Sequence, residues 1–242
     1  MSEGSAMGDF FSHLRELRRH IVRAFIYYVC ALLPLAVYSK SLFSYMSKPM
    51  LAILGNSQTL VSTQIVGTVF VPLKLAMLMA LFITAPLILY EMWKFVVPGL
   101  FPNEIKRAKP ILISAVFFFY AGCCFAFFVA LPLMFKYFNA VTPEGVTYMP
   151  DISNYFDFLI VMFIAFGIAF EVPVVCYILL RFKILDLNAL TKSRPYFIMT
   201  TAIITAIITP PDALSMLLVL VPMWLLFEGS LIFFRYFLKD EN

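Results

Sequence analysis

Between residues 156 and 180 the chain runs for 25 positions with only two charged side chains, Asp157 and Glu171. A helix that crosses a bilayer needs about 20 mostly apolar residues, whereas a membrane barrel shows ten-residue alternating segments. Continuous runs of this kind are therefore helical. Six of them can be marked, at roughly 21–39, 69–90, 111–135, 156–180, 196–209 and 213–234. Composition agrees: 62% of the residues are hydrophobic and 13% charged, against about half and a quarter in an ordinary soluble domain. The expectation is an all-α membrane protein, one integral membrane domain over 1–242 with six transmembrane helices and no soluble domain. The fifth run covers 14 residues, about 21 Å of helix against a hydrocarbon core of about 30 Å. The sixth holds Pro222 and Glu228, which abbreviate its clean apolar part. A short fifth and sixth helix imply a thinned bilayer or cover by a partner.

The basic residues orient the spans. With the N-terminus inside, fourteen of the eighteen Lys and Arg fall on the inner side, leaving Lys40, Lys48, Lys74 and Lys136 outside. Both termini are then cytoplasmic. Much of the net charge of +4 serves insertion, so it is no argument for a nucleic-acid partner. The first 20 residues are largely polar and charged, so no cleavable signal peptide is expected and the first run is expected to stay as a membrane helix. Cys30, Cys123, Cys124 and Cys176 all lie in spans without metal-ligand spacing, and read as packing residues. His13 and His20 are seven apart, not the four of a helical zinc pair, and no phosphate loop or nucleophile elbow occurs. No metal, cofactor or enzyme chemistry is expected; the chain binds or moves something.

Three features could carry that task. In GDFFSHLRELRRHI, Phe10, Phe11, Leu14, Leu17 and Ile21 recur at helical spacing with Arg15, Glu16, Arg18 and Arg19 opposite. Such a segment lies on the inner membrane surface before turning into the first span. A positive-inside anchor explains the arginines but not Glu16, which can pair with Arg19 or His20 on its own helix. The inner loop YEMWKFVVPGLFPNEIKRAKP is either an ordinary connection with an aromatic belt or a binding surface. Glu91 and Glu104 favour the second, because carboxylates on a cationic face can seat a guanidinium. Third, Glu171 stands inside the fourth span, with Gly167 one turn before it and Pro173 two residues after. Pro173 frees the carbonyl of Ala169 and kinks the helix. Two readings fit: a protonated acid bonded to a neighbouring helix, or a functional cavity.

Taken together, HLRELRRH (13–20), APLILYEMWKFVVPGLFPNE (85–104), FGIAFEVPVV (166–175), RPYF (194–197), TPPDALS (209–215) and VPMWLLFE (221–228) resemble the TatC family, the polytopic receptor subunits of the twin-arginine protein translocase. The likeness runs from about His13 to Arg235. It implies a glove-shaped six-helix bundle in the bacterial inner membrane with both termini cytoplasmic. It further implies recognition of signal peptides with two consecutive arginines, an address read by a receptor. The corresponding recognition residues are Glu16, Leu17, Arg18, Phe95 and Glu104, with the two glutamates facing the arginine pair. The family's intramembrane glutamate matches Glu171, its proline after the first span Pro49, and its tight turn between the last two helices Pro210, Pro211 and Asp212. The implied partners are TatB-like and TatA-like single-span subunits and further copies of the chain, with transport of folded cargo driven by the proton-motive force and no nucleotide.

The chain departs from that pattern twice. Residues 64–68 read Gln-Ile-Val-Gly-Thr where many relatives carry an acid and a Ser-Pro pair, and Met216 stands where many use a glutamine toward the partner helix. The partner contact is then apolar, at Met216, or carried by Ser215. A reading from another class remains, a proton-coupled small-solute permease with Glu171 as relay; it requires several ionisable groups along a midplane path, and the candidates beside Glu171 are only Lys74 near the outer end of the second span and Glu228 near the inner end of the sixth.

Overall fold

The structure, a computed structural model, describes residues 3–54, 61–63, 67–96, 108–143, 150–210 and 212–237, with side chains of the first helix from Arg15 onward. The elements among them are helical, in the order α1 (Glu3–Val37), α2 (Ser39–Leu54), α3 (Gly67–Val96), α4 (Ala108–Phe125), a π turn (Ala126–Ala130), α5 (Leu131–Val141), α6 (Ile152–Ala169), α7 (Val172–Arg181), α8 (Leu187–Lys192), α9 (Arg194–Ile208) and α10 (Ala213–Phe237), with one isolated β-bridge between Val61 and Asp151. Five segments are long and apolar enough to cross a membrane, and α9 is a shorter apolar helix. By its contacts the chain forms two compact units, one of Met1–Tyr45 with Val69–Val116, the other of Met46–Thr68 with Phe117–Asn242.

In the first unit, α1 is a single helix of 35 residues. The expected turn between a surface segment and the first span is absent, because no Gly or Pro occurs from Asp9 to Leu33 to interrupt the hydrogen-bond ladder. Helix α3 buries Val71, Leu75, Ala76, Leu78 and Ala80 at helical spacing. The hydroxyl of Tyr28 on α1 donates to the carbonyl of Met77 on α3 at 3.2 Å.

The second unit packs more densely. The π turn follows from Pro132, whose missing N–H leaves the preceding turn to close by a wider bond from Leu131 N–H to the Ala126 carbonyl. Helix α6 buries Tyr155, Phe156, Leu159, Met162, Phe163 and Phe166, a stripe at three- and four-residue intervals. It approaches α4 where side chains are missing. A Cβ at Gly122 would meet the Phe166 carbonyl and come within 2.9 Å of the Phe170 side chain, and one at Gly167 would lie 2.9 Å from the Phe119 ring. The space beside Gly167 is thus occupied by the Phe119 ring.

Pro173 interrupts the fourth span as anticipated. Helix α6 stops at Ala169, Glu171 N–H closes a tight turn on the Ile168 carbonyl at 3.1 Å, and α7 restarts at Val172. Helix α9 has 15 residues and is short as expected. Helix α10 is not: it runs 25 residues straight through Pro222, about 38 Å. One proline removes one backbone bond, which neighbouring helices and local adjustment accommodate inside a membrane helix. Helices α2 and α8 were not foreseen from the sequence.

Candidate functional site

Of the residues expected to read a signal peptide, Glu16 and Arg18 on α1 are exposed, and Leu17 and Phe95 half-buried; Glu104 lies outside the described residues. Helix α1 meets the end of α3 around a carboxylate that the sequence reading had offered to a ligand. Glu91 is buried, 2% exposed. Its Oε2 lies 2.6 Å from His20 Nδ1, where an imidazole N–H donates to it, and 4.0 Å from Arg23 Nη1. Its Oε1 accepts from the Tyr27 hydroxyl at 3.5 Å. His20, Arg23 and Tyr27 follow one another at three and four residues, so they form one stripe of α1. The His20 ring also meets the edge of Phe95 at 6.5 Å between centroids. Glu91 is therefore spent inside the protein, leaving Glu16 and Glu104 as the candidate anionic partners of a ligand.

Glu171 sits at the break between α6 and α7, half-buried. Its Oε1 is buried with no hydrogen-bond partner among the described residues. Around the same break Phe125 packs on Phe166 and Phe170, with ring centroids 5.1 and 5.5 Å apart. A buried carboxyl oxygen without a partner costs stability. The neighbour-bonded reading of this acid thus lacks its neighbour among the described residues.

The turn between α9 and α10 is built on Asp212. The Ser215 N–H and hydroxyl donate to its two carboxylate oxygens at 2.9 and 2.6 Å, and the Tyr137 hydroxyl donates to Oδ2 at 3.1 Å. This is an N-cap for α10 with a buried serine inside it. The Ser215 hydroxyl bonds first of all hold the carboxyl of Asp212 below the usual carboxylate range. Ser215 is fully buried and Met216 half-buried; Pro210 is exposed, Pro211 lies outside the described residues, and Pro49 lies in α2 with its side chain outside them.

Two further devices escaped the sequence reading. Asp151 caps α6 through Ser153 N–H and Asn154 N–H at 2.8 and 3.2 Å, while the Thr63 hydroxyl and N–H donate to its other oxygen at 2.6 and 2.8 Å. Chiefly the Thr63 hydroxyl bond pulls the Asp151 carboxyl down to about 2. An open groove of about 730 Å³ lies beside it, lined by Phe135, Tyr137, Asp151, Phe158 and Asp212 among others. At the other end of α9, Arg194 pairs with Glu228 and Phe197 stacks on Phe227 at 4.2 Å. These lie beside a buried cluster of Cys176, Leu190, Phe227, Leu231 and Phe234. Glu228 thus has its partner inside the protein. Among the described residues no three His, Cys, Asp or Glu gather as a metal site would require.

The family model described as Sec-independent protein translocase protein (TatC) matches residues 12–222. The chain is similar to the Sec-independent protein translocase protein TatC of Azotobacter chroococcum, 40% identical over 222 residues that span 92% of this chain and 87% of that one. It is likewise similar to the TatC proteins of Haemophilus influenzae, 36% identical over 100% of this chain and 94% of that one, and of Escherichia coli K12, 34% identical over 96% and 90%. A crystal structure described as the twin arginine translocase receptor TatC superposes with a TM-score of 0.83 at 30% identity, covering 91% of this chain and 96% of that one.

Proposed function

Because the chain belongs to the TatC family of Sec-independent protein translocase proteins, we propose that it is the membrane receptor that binds twin-arginine signal peptides on the cytoplasmic side and passes folded cargo to single-span partners. The chain is a multi-pass membrane protein and a translocase component. In the proposed arrangement it sits in the bacterial inner membrane with both termini in the cytoplasm. The family match across residues 12–222 carries this reading, since it contains every residue assigned to the signal-peptide surface below.

Glu16 and Glu104 receive the two guanidinium groups, for which a carboxylate is the bidentate partner. Arg18, Leu17 and Phe95 flank them and hold the adjoining backbone and apolar side chains of the peptide. Glu171 lines the path of the apolar part of the signal or of a polar side chain on a partner helix; its unpartnered Oε1 supports that role. TatB-like and TatA-like helices dock against α9 and α10, where Leu214, Leu217, Val221 and Leu225 form an exposed stripe along one face of α10. Ser215 serves the same helix from within, by fixing the start of α10, Pro210, Pro211 and Asp212 shape the outer turn before it, and Pro49 belongs to the outer-face helix α2. Further copies of the chain assemble in the receptor complex, and the proton-motive force drives transport. Membership of a protein translocase family leaves the solute-permease alternative without support.

The test is complementation. In bacteria lacking their own TatC, this chain is expected to restore export of a folded reporter bearing a twin-arginine signal, and Glu16→Lys to abolish it at equal membrane abundance. Undiminished export by Glu16→Lys, or none by the unaltered chain when its partners are co-expressed, would overturn the reading.

A further inference from the structure

Helix α1 is held in an unusual way for a membrane helix. None of its most apolar 18-residue window is buried, and Ile21, Phe25, Ile26 and Leu33 are each more than half exposed. Apolar side chains with so few neighbours set neither the rotation of a helix nor its depth, because a small slide leaves their surroundings unchanged. The polar stripe behaves differently. Glu91 is fixed on α3 and buried, and three side chains of α1 converge on its two oxygens. Sliding or turning α1 would pull His20, Arg23 and Tyr27 away together and leave a buried carboxylate unpaired.

The register of this contact reaches the proposed ligand surface. The two helices run antiparallel, since Tyr28 bonds Met77 while His20, eight residues earlier, reaches Glu91. Moving back along α1 from Tyr27 to His20 carries the contact forward along α3 from Glu91 to Phe95. Glu16 lies one further turn back on the same stripe, so its position relative to Phe95 depends on where His20 is held.

We propose that His20 and Glu91 form a positioning clamp which, by fixing the rotation and depth of α1 on the end of α3, sets the spacing between Glu16 and Phe95 that a pair of consecutive arginines requires. The proposal rests on the receptor reading above. Neither residue touches the peptide; each acts through the placement of Glu16. Arg23 and Tyr27 support the clamp, Arg23 from longer range and half-exposed.

The experiment uses the full chain in lipid nanodiscs, with the four native cysteines replaced by alanine and spin labels at Arg19→Cys and Met92→Cys. It reads two quantities: the label-to-label distance distribution without ligand, and the affinity for a synthetic twin-arginine signal peptide. Glu91→Leu is expected to broaden or shift the distance and weaken peptide binding by about tenfold, the scale of one lost charge-assisted hydrogen bond. Glu91→Gln keeps an acceptor for the His20 N–H and is expected to restore both. Glu16→Lys is expected to abolish binding with the distance unmoved. If Glu91→Leu fails to fold, the double variant His20→Gln/Tyr27→Phe takes its place with the same expectations. An unchanged distance in the clamp variants, or a changed distance with unchanged affinity, overturns the proposal. Failure of the wild type to bind the peptide overturns the receptor reading instead, and the clamp's part in recognition with it, and the distance measurement still reports whether Glu91 holds α1.

Discussion

Helix α1 and the α9–α10 pair cross the same membrane and are held by opposite means. The first leaves its apolar faces open and is fixed by a polar contact at Glu91 and a hydroxyl bond from Tyr28. The second buries Thr201, Thr205, Ser215 and Val219 at close quarters, stacks Phe197 on Phe227, pairs Arg194 with Glu228 and is capped by Asp212. In lipid, exposing an apolar side chain costs nothing, so packing density marks where the fold is fixed and its absence marks surface available to another chain. The threonines of α9 make the close approach possible: their hydroxyls bond carbonyls of their own helix, as Thr201 does to Phe197 and Thr205 to Ala202.

Substitutions should separate the two regimes. The largest effect is expected in the second unit at Gly122→Leu, where a side chain must displace the Phe166 backbone and the Phe170 ring; overpacking of this kind costs roughly 3 kcal/mol, read as a fall in the detergent unfolding midpoint. Glu171→Leu should act the other way. Removing a half-buried carboxyl whose Oε1 is unpartnered is expected to stabilise the fold by roughly 1 kcal/mol, while export of a twin-arginine reporter falls. A stability gain with full export would dissociate Glu171 from function.

Smaller effects sharpen the contrast. Ser215→Ala removes a buried hydroxyl bonded to Asp212, with an expected cost of about 1 kcal/mol. Phe25→Ala on α1, an aromatic 64% exposed, should cost less than about 0.5 kcal/mol; a cost equal to a buried phenylalanine's would show that α1 is packed after all. The smallest is a pH effect. Asp151 has its carboxyl lowered to about 2, so its cap is fully formed above the ordinary carboxylate range and is lost as pH falls through the folded value. Thr63→Val, which removes the hydroxyl bond and keeps the N–H, should move that loss to higher pH, as followed by NMR titration of the Asp151 side chain.

Such long-range contacts explain what the sequence could not show. The spans were legible because a bilayer demands long apolar runs, and the break at Glu171 because proline cannot donate to Ala169. Helix α2 was missed because its polar and apolar residues mix Ser39, Lys40 and Ser41 with Leu42 and Phe43, a pattern without the length of a span. The π turn before Pro132 was missed because a proline inside an apolar run signals a lost backbone bond without saying whether the preceding turn kinks or widens. Glu91 was visible as a carboxylate among cations, yet its partner His20 is 71 residues away, and Tyr137 is 75 from Asp212. No local pattern links such pairs. For that reason Glu91 looked like a seat for a ligand until α1 was seen to occupy it.

The central claim is that the exposed, acid-bearing end of α1 reads a pair of arginines. Membranes containing the chain would be incubated with a twin-arginine signal peptide carrying a photo-reactive group beside the arginines, for the wild type, Glu16→Lys and Glu104→Lys. A crosslink to the wild type that disappears in both variants, with their insertion intact, is the predicted result; a crosslink that survives both charge reversals, or never forms with the wild type, would contradict it.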